Sequence, residues 1–176
     1  MKANVFDQER APAVPRTTLT ASRKTSLAAG ILYLITFISV PQFILYAAVR
    51  EPNYIVSAGP DTGIAIGGIL EVIVALAGIA TAVALYPALK RQNQVLSLGL
   101  IGARVLEAST IFAGVVCLLT LATLRRAGVG AEGLITGQTL IAMYDQFHLG
   151  QGIMPAVDDL LLGYLLYRSR LVPRAL

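Results

Sequence analysis

Seven ionisable side chains lie inside long apolar stretches of the sequence: Glu71, Arg104, Glu107, Asp145, His148, Asp158 and Asp159. Five of them are carboxylates, accompanied by one arginine and one histidine. In apolar surroundings these acids cannot all be ionised and unpaired, so some must be protonated, hydrated or matched by a bound cation. Such a set could carry a proton or a cation. The alternative is a buried polar network that only holds helices in register.

Helical spacing predicts which of these side chains meet. At about 100° per residue, His148 and Asp159 share a stripe with Asp145 and Gln138, whereas Asp158 points well away. We expect Arg104 to face Asp159 or Glu107, and Glu71 to face His148. The candidate intramembrane polar cluster is therefore Glu71, Arg104, Glu107, Asp145, His148 and Asp159.

Enzyme signatures are absent from the sequence, which favours a role other than catalysis. It contains no Gly-rich phosphate loop, no His-Glu-x-x-His and no Gly-x-Ser-x-Gly, and the single histidine excludes a multi-histidine zinc site. Asp145 and His148, three residues apart, match half of a carboxylate-bridged metal motif that would need Glu71 or Glu107 as further ligands. Cys117 lies among apolar residues and is expected to be a packing side chain. We predict no cofactor and no catalytic residue, and metal binding stays open.

The elements that must position these residues are apolar helices. Of 176 residues, 56% are hydrophobic and 14% charged, and the mean hydropathy is +0.70, which excludes an ordinary soluble domain and a disordered chain. Apolar stretches at 27–49, 64–89, 95–124 and 134–167 each exceed the ~20 residues that a helix needs to cross a bilayer. The predicted fold is an all-α integral membrane bundle with four crossings. Its fourth helix is long and either kinked or broken between Gly150 and Pro155.

The distribution of basic residues predicts the topology. Ten of the 14 lysines and arginines lie before the first apolar stretch, between the second and the third, or after the fourth, which places them on one side of the predicted membrane. Three others, Arg50, Arg125 and Arg126, lie in the remaining connections, on the opposite side. By the positive-inside rule both termini are cytoplasmic. We predict a disordered cytoplasmic tail over 1–22 and a transmembrane domain over 23–176. Because topology explains the net charge of +4, nucleic acid is not an expected partner.

Three segments carry a resemblance to a known family: LEV at 70–72 continuing to AVALYPALKRQN at 82–93, ARVLE at 103–107, and LGYLLYRSRLVPR at 162–174. Over about 23–174 the chain resembles the bacterial membrane proteins grouped as domain of unknown function 4386. The resemblance implies a multi-span protein of the bacterial plasma membrane with no established activity. Glu71, Arg104 and Glu107 match charged positions of that pattern, whereas Asp158 and Asp159 depart from it. Relatives continue into further apolar spans, so this chain is expected to be either a short or a truncated member.

Two functions are consistent with these observations. Small residues four apart, such as Gly63 and Gly67 or Gly99 and Ala103, allow helices to approach closely and favour a self-associating or partner-binding bundle. The expected partners are then the lipid bilayer and further copies of the chain. The alternative is a cation- or proton-coupled transporter that uses Glu71, His148, Arg104 and Asp159.

Overall fold

The structure, a computed structural model, describes residues 17–39 and 42–169. Four long helices make up most of this part: α1 (Thr17–Ile35), α2 (Thr62–Leu89), α3 (Gln94–Arg126) and α4 (Gly133–Ser169). The described residues contain no β-strand, so the predicted all-α fold class is confirmed. Residues 1–16 of the predicted tail lie outside the described part, and residues 17–22 belong to α1.

The first predicted span, 27–49, is not one continuous helix. The helix α1 ends at Ile35, and single turns follow at Thr36–Ser39, Gln42–Leu45 and Ala47–Arg50. The sequence has a proline at position 41, and proline disfavours a continuous helix because it has no backbone N–H to donate. Tyr46, which lies between the last two turns, and Val49, which lies in the last one, are both buried in the protein interior.

The helices α2 and α3 form a hairpin across the short connection 90–93. Asn93 starts α3 as its N-cap, since its side-chain oxygen accepts a hydrogen bond of 3.1 Å from the backbone N–H of Leu96. At 1.5 Å per residue these helices are ~42 and ~50 Å long, more than the ~30 Å of bilayer hydrocarbon. Among the described helices, these two are long and apolar enough to cross a membrane. The structure therefore offers two candidate spans where the sequence predicts four.

The fourth helix is long, as predicted, but it is not broken. It runs without interruption through Pro155 for 37 residues, so the alternative of two half-helices is wrong. Because Pro155 has no N–H, the carbonyl of Gln151 lacks its usual helical donor four residues later. The helix α4 packs on α3 on both sides of this position, with Tyr144 beside Gly114 before it and Leu165 in the cluster of Leu100 after it.

Each long helix packs mainly against its neighbours in the chain: α1 on α2, α2 on α3, and α3 on α4. We call the end of the bundle where α2 begins the Asp61 end, and the end where α2 turns into α3 the Lys90 end. Three apolar clusters follow one another between these ends. They are centred on Leu118 and Leu121, then on Ala108 and Val115, then on Leu100 and Leu165. Glu71 lies between the first and the second of these clusters, and Arg104 and Asp158 lie between the second and the third.

Candidate functional site

Glu71 is the one acidic residue of α2, and it is buried, with 2% of its surface exposed. Two tyrosine hydroxyls donate to its carboxylate, that of Tyr144 at 2.9 Å and that of Tyr46 at 3.3 Å. The two rings meet edge to face, with their centroids 5.7 Å apart. We call Glu71, Tyr46, Tyr144 and the adjoining His148 the Glu71 site.

Two glycines make room for these tyrosines. A Cβ at Gly67 on α2 would collide with the ring of Tyr46, and a Cβ at Gly114 on α3 would lie 3.2 Å from the ring of Tyr144. Gly67 was expected to allow close approach of two helices. In the structure the absence of its side chain instead admits an aromatic ring that reaches the buried carboxylate.

His148 and Asp145 have different surroundings from each other. The imidazole of His148 stacks on the ring of Tyr144, with centroids 5.8 Å apart, so it joins the Glu71 site through that tyrosine. Asp145 turns to the surface and forms a two-pronged ion pair with Arg50, at 2.8 and 3.3 Å. Asp145 therefore lies at the rim of the Asp61 end and not beside Glu71.

Arg104 on α3 is the centre of the second buried polar group. Its Nη1 donates to Glu107 at 2.7 Å, its Nε lies 3.3 Å from an oxygen of Asp158, and its Nη2 lies 4.0 Å from Asp159. The expected proximity of Arg104 to Glu107 and Asp159 is thus observed. We call these four residues the Arg104 site.

Asp158 also belongs to this site, although the predicted stripe of α4 leaves it out of the polar cluster. Its side chain is fully buried, whereas 60% of the Asp159 side chain is exposed. Neither carboxylate oxygen of Asp158 accepts a hydrogen bond from the described residues. A cavity of about 210 Å³ adjoins the site, lined by all four long helices, with Arg104 and Glu107 on its wall.

The charges of the Arg104 site do not balance. Three carboxylates share one guanidinium, which leaves two negative charges in excess if every acid is ionised. A group of this kind requires a bound proton, a cation or hydration. Within the described part of the chain, no three histidine, cysteine, aspartate or glutamate side chains are grouped closely enough to hold a metal ion.

A third polar group, which the sequence analysis did not predict, lies at the Asp61 end. The carboxylate of Asp61 accepts hydrogen bonds from Arg125 at 2.7 Å, Arg126 at 2.8 Å and the hydroxyl of Tyr54 at 3.0 Å. The guanidinium of Arg125 also lies over the Tyr54 ring, 4.2 Å from its centroid. We call these four residues the Asp61 clasp.

The Asp61 clasp explains why Asp61, the N-cap residue of α2, makes no capping hydrogen bond with its side chain. Its oxygens are instead taken by the two arginines and the tyrosine. Burial alone would raise the pKa of the Asp61 carboxyl, but the hydrogen bonds from Arg126, Tyr54 and Arg125 outweigh it. They hold this pKa below its ordinary value of 3.8.

These features define a class of protein: an all-α bundle that is compatible with a membrane protein and buries charged groups between its helices. The chain belongs to the family described as Domain of unknown function (DUF4386), whose model matches residues 28–176. The resemblance stated from the sequence is thereby confirmed. No curated protein and no solved structure matches the chain.

Proposed function

We propose that the chain is a multi-pass protein of the bacterial plasma membrane, with four crossings and both termini in the cytoplasm. Large apolar side chains stand on the outside of every long helix, for example Leu34, Ile69, Val116 and Leu160, which are 59 to 75% exposed. Water would penalise such a surface, whereas lipid would not. The excess of basic residues near the Lys90 end supports a cytoplasmic location of that end.

Within this bundle we propose that the Arg104 site binds and releases a proton or a small cation, and that the protein is a proton- or cation-coupled transporter. The observation that carries this proposal is Asp158, a fully buried carboxylate without a hydrogen bond from the described residues. It competes with Glu107 and Asp159 for the single guanidinium of Arg104. Ionisable groups of this kind inside membrane bundles mark ion and proton pathways.

The chemistry follows from the fixed charge of Arg104. Arginine side chains keep their positive charge in proteins, so the variable charge must reside on the carboxylates. When Asp158 holds a proton, Arg104 pairs with Glu107 at 2.7 Å. When that proton leaves, the guanidinium is already 3.3 Å from Asp158 and can share its charge with the new carboxylate. The adjoining cavity offers the space through which an ion would enter.

A flux measurement tests the proposal. Purified protein is reconstituted in vesicles that contain a pH-sensitive dye, and a membrane potential is imposed with potassium and valinomycin; a parallel series measures sodium uptake. We expect wild-type protein to carry a flux of one of these ions and Asp158→Asn to reduce it at least tenfold. The matched control is Asp145→Asn, which removes an acid of the same helix from the exposed pair with Arg50. If wild-type protein carries neither protons nor sodium ions, the proposal is overturned.

Self-association is a second candidate, supported by the outer face of α3. Val95, Leu98 and Gly99 are exposed there, and no atom outside the helix backbone lies within 4 Å of a Cβ added at Gly99. Such a face allows a second copy to approach closely. Light scattering in detergent should give the molecular mass of a dimer or a larger oligomer for wild-type protein, and that of a monomer for Gly99→Leu. A wild-type monomer at all concentrations would contradict this candidate.

A further inference from the structure

The interior face of α4 carries a row of polar groups between the Glu71 site and the Arg104 site. Tyr144, His148, Gln151, Pro155 and Asp158 follow at intervals of four, three, four and three residues. These intervals keep one face of a helix toward the bundle. Accordingly, Tyr144 and Asp158 are buried, and the other three members of the row, His148, Gln151 and Pro155, are partly buried.

The first residue of this row, Tyr144, contacts the carboxylate of Glu71, and the last residue, Asp158, contacts the guanidinium of Arg104. At the Asp61 side, the hydroxyl of Tyr144 donates to Glu71 at 2.9 Å. At the Lys90 side, Asp158 lies 3.3 Å from Arg104. Asp158 follows Tyr144 by 14 positions, which is ~21 Å along the helix axis, about two thirds of the hydrocarbon thickness.

The middle of the row offers polar groups with unused hydrogen-bonding capacity. The side-chain Nε2 of Gln151 is buried and donates to none of the described residues. The carbonyl of the same residue lacks its helical donor because Pro155 has no N–H. Buried polar groups left in this way commonly bind ordered water. Pro155 also lines the cavity of about 210 Å³ beside Arg104, which has room for several water molecules.

We propose that this row is a proton path, in which Gln151 and ordered water connect the Glu71 site with the Arg104 site. The inference rests on the proposed function and specifies its ion as the proton. A proton taken up by the carboxylate of Glu71 is matched by one released from Asp158, so the net charge of the interior does not change. The imidazole of His148, which stacks on Tyr144, is the group of the Glu71 site that precedes Gln151 in this row.

The groups that face the path come from the segment 42–50 and from α2, α3 and α4. Tyr46 and Tyr144 face Glu71, and Tyr144 stacks on His148. At the far end, Asp158 is faced by the charged side chains of the Arg104 site. Gln151 does not titrate, so its part is to hold water in the gap between His148 and Asp158.

The experiment is Gln151→Met, which keeps the volume of the side chain and removes its polar atoms, in the vesicle assay with the pH-sensitive dye. We expect proton flux to fall at least tenfold. Gln151→Glu, which keeps a polar group at the position, should retain flux and serves as a second variant if Gln151→Met inserts poorly. The matched control is Gln138→Met, an exposed position of the same helix that should leave flux unchanged.

The outcomes separate the path from the proposed function. Proton flux that Asp158→Asn abolishes but Gln151→Met leaves intact would overturn the path and leave the proposed function standing. Sodium flux without proton flux would do the same. Wild-type protein that carries neither ion would overturn both.

Discussion

The Asp61 clasp and the Arg104 site contain the same kinds of side chain in opposite proportions. In the clasp, one carboxylate receives two arginines and a tyrosine hydroxyl, and each carboxylate oxygen has a donor within 3.0 Å. In the Arg104 site, one arginine serves three carboxylates, and the most deeply buried of them, Asp158, accepts no hydrogen bond from the described residues. An excess of donors fixes a carboxylate in its charged form, whereas an excess of acids leaves a position for an exchangeable ion. Under the proposed function, the difference separates a structural clasp from a site that changes its charge.

The largest expected effect comes from removing the acid of the clasp. Asp61→Ala leaves the buried guanidinium of Arg125 without its ion-pair partner, which costs about 3–5 kcal/mol of unfolding free energy for a buried pair. The measurement is detergent-induced unfolding followed by circular dichroism. Asp145→Ala, which removes the half-exposed partner of Arg50, is the control and should cost only about 0–1 kcal/mol. Equal losses of unfolding free energy in both variants would contradict the expectation that the buried pair of Asp61 stabilises the protein more than the exposed pair of Asp145 does.

Acid should weaken the clasp by an intermediate amount. Because the pKa of Asp61 is held below 3.8 in the folded protein, its stabilising contribution is complete at neutral pH, begins to decline as pH approaches 3.8 and is lost as pH falls through the lowered pKa of the folded state. Charged hydrogen bonds of this kind contribute about 1.5–3 kcal/mol. The unfolding temperature of wild-type protein should therefore fall more steeply between about pH 5 and 3 than that of Asp61→Asn. Parallel pH profiles for the two proteins would show that another group is responsible.

The smallest expected change in unfolding free energy comes from a substitution in the Arg104 site. Asp158→Asn removes a negative charge from a group that has too many, so the unfolding free energy should rise or change by no more than ~1 kcal/mol. The same substitution at Asp61 should destabilise the protein, which makes the pair of variants a direct comparison of the two regions by thermal unfolding. A loss at Asp158 as large as that at Asp61 would mean that Arg104 depends on Asp158 as a fixed partner.

Local patterns in the sequence predict the long helices and one side-chain pair. The apolar stretches 64–89, 95–124 and 134–167 agree with α2, α3 and α4 to within two residues at each end. Arg104 and Glu107 meet because they are three residues apart on one helix. Both results depend on the composition and spacing of neighbouring residues, which the sequence contains directly.

The interior face of α4 could not be predicted in the same way. Spacing gives the angle between two side chains on a helix, but it does not give the direction of the protein interior. The predicted stripe was centred on Asp145, whereas the interior lies about 100° away, toward Tyr144 and Asp158. Tyr144 was not among the predicted site residues. Its partner Glu71 is 73 positions away in the chain.

The Asp61 clasp and the pair of Arg50 with Asp145 were missed for a related reason. Their partners are 64 and 95 positions apart, and their meeting depends on how the segment 50–61 folds over the end of the bundle. The arginines concerned had been counted only as charges that report topology. An acid beside the start of α2 and arginines at the end of α3 are the signal that could have suggested an ion pair, since a helical hairpin brings those two ends together.

The packing of each helix against its neighbours in the chain also bears on how the protein is made. The connection 90–93 is so short that α2 and α3 can pair as soon as both have been synthesised, and such a hairpin forms without the closing of a long loop. The later helix α4 then docks on a surface of α3 that already exists. Assembly can therefore proceed in the order of synthesis, and the ion pairs of the Asp61 end, which join distant parts of the chain, form after the helices they connect.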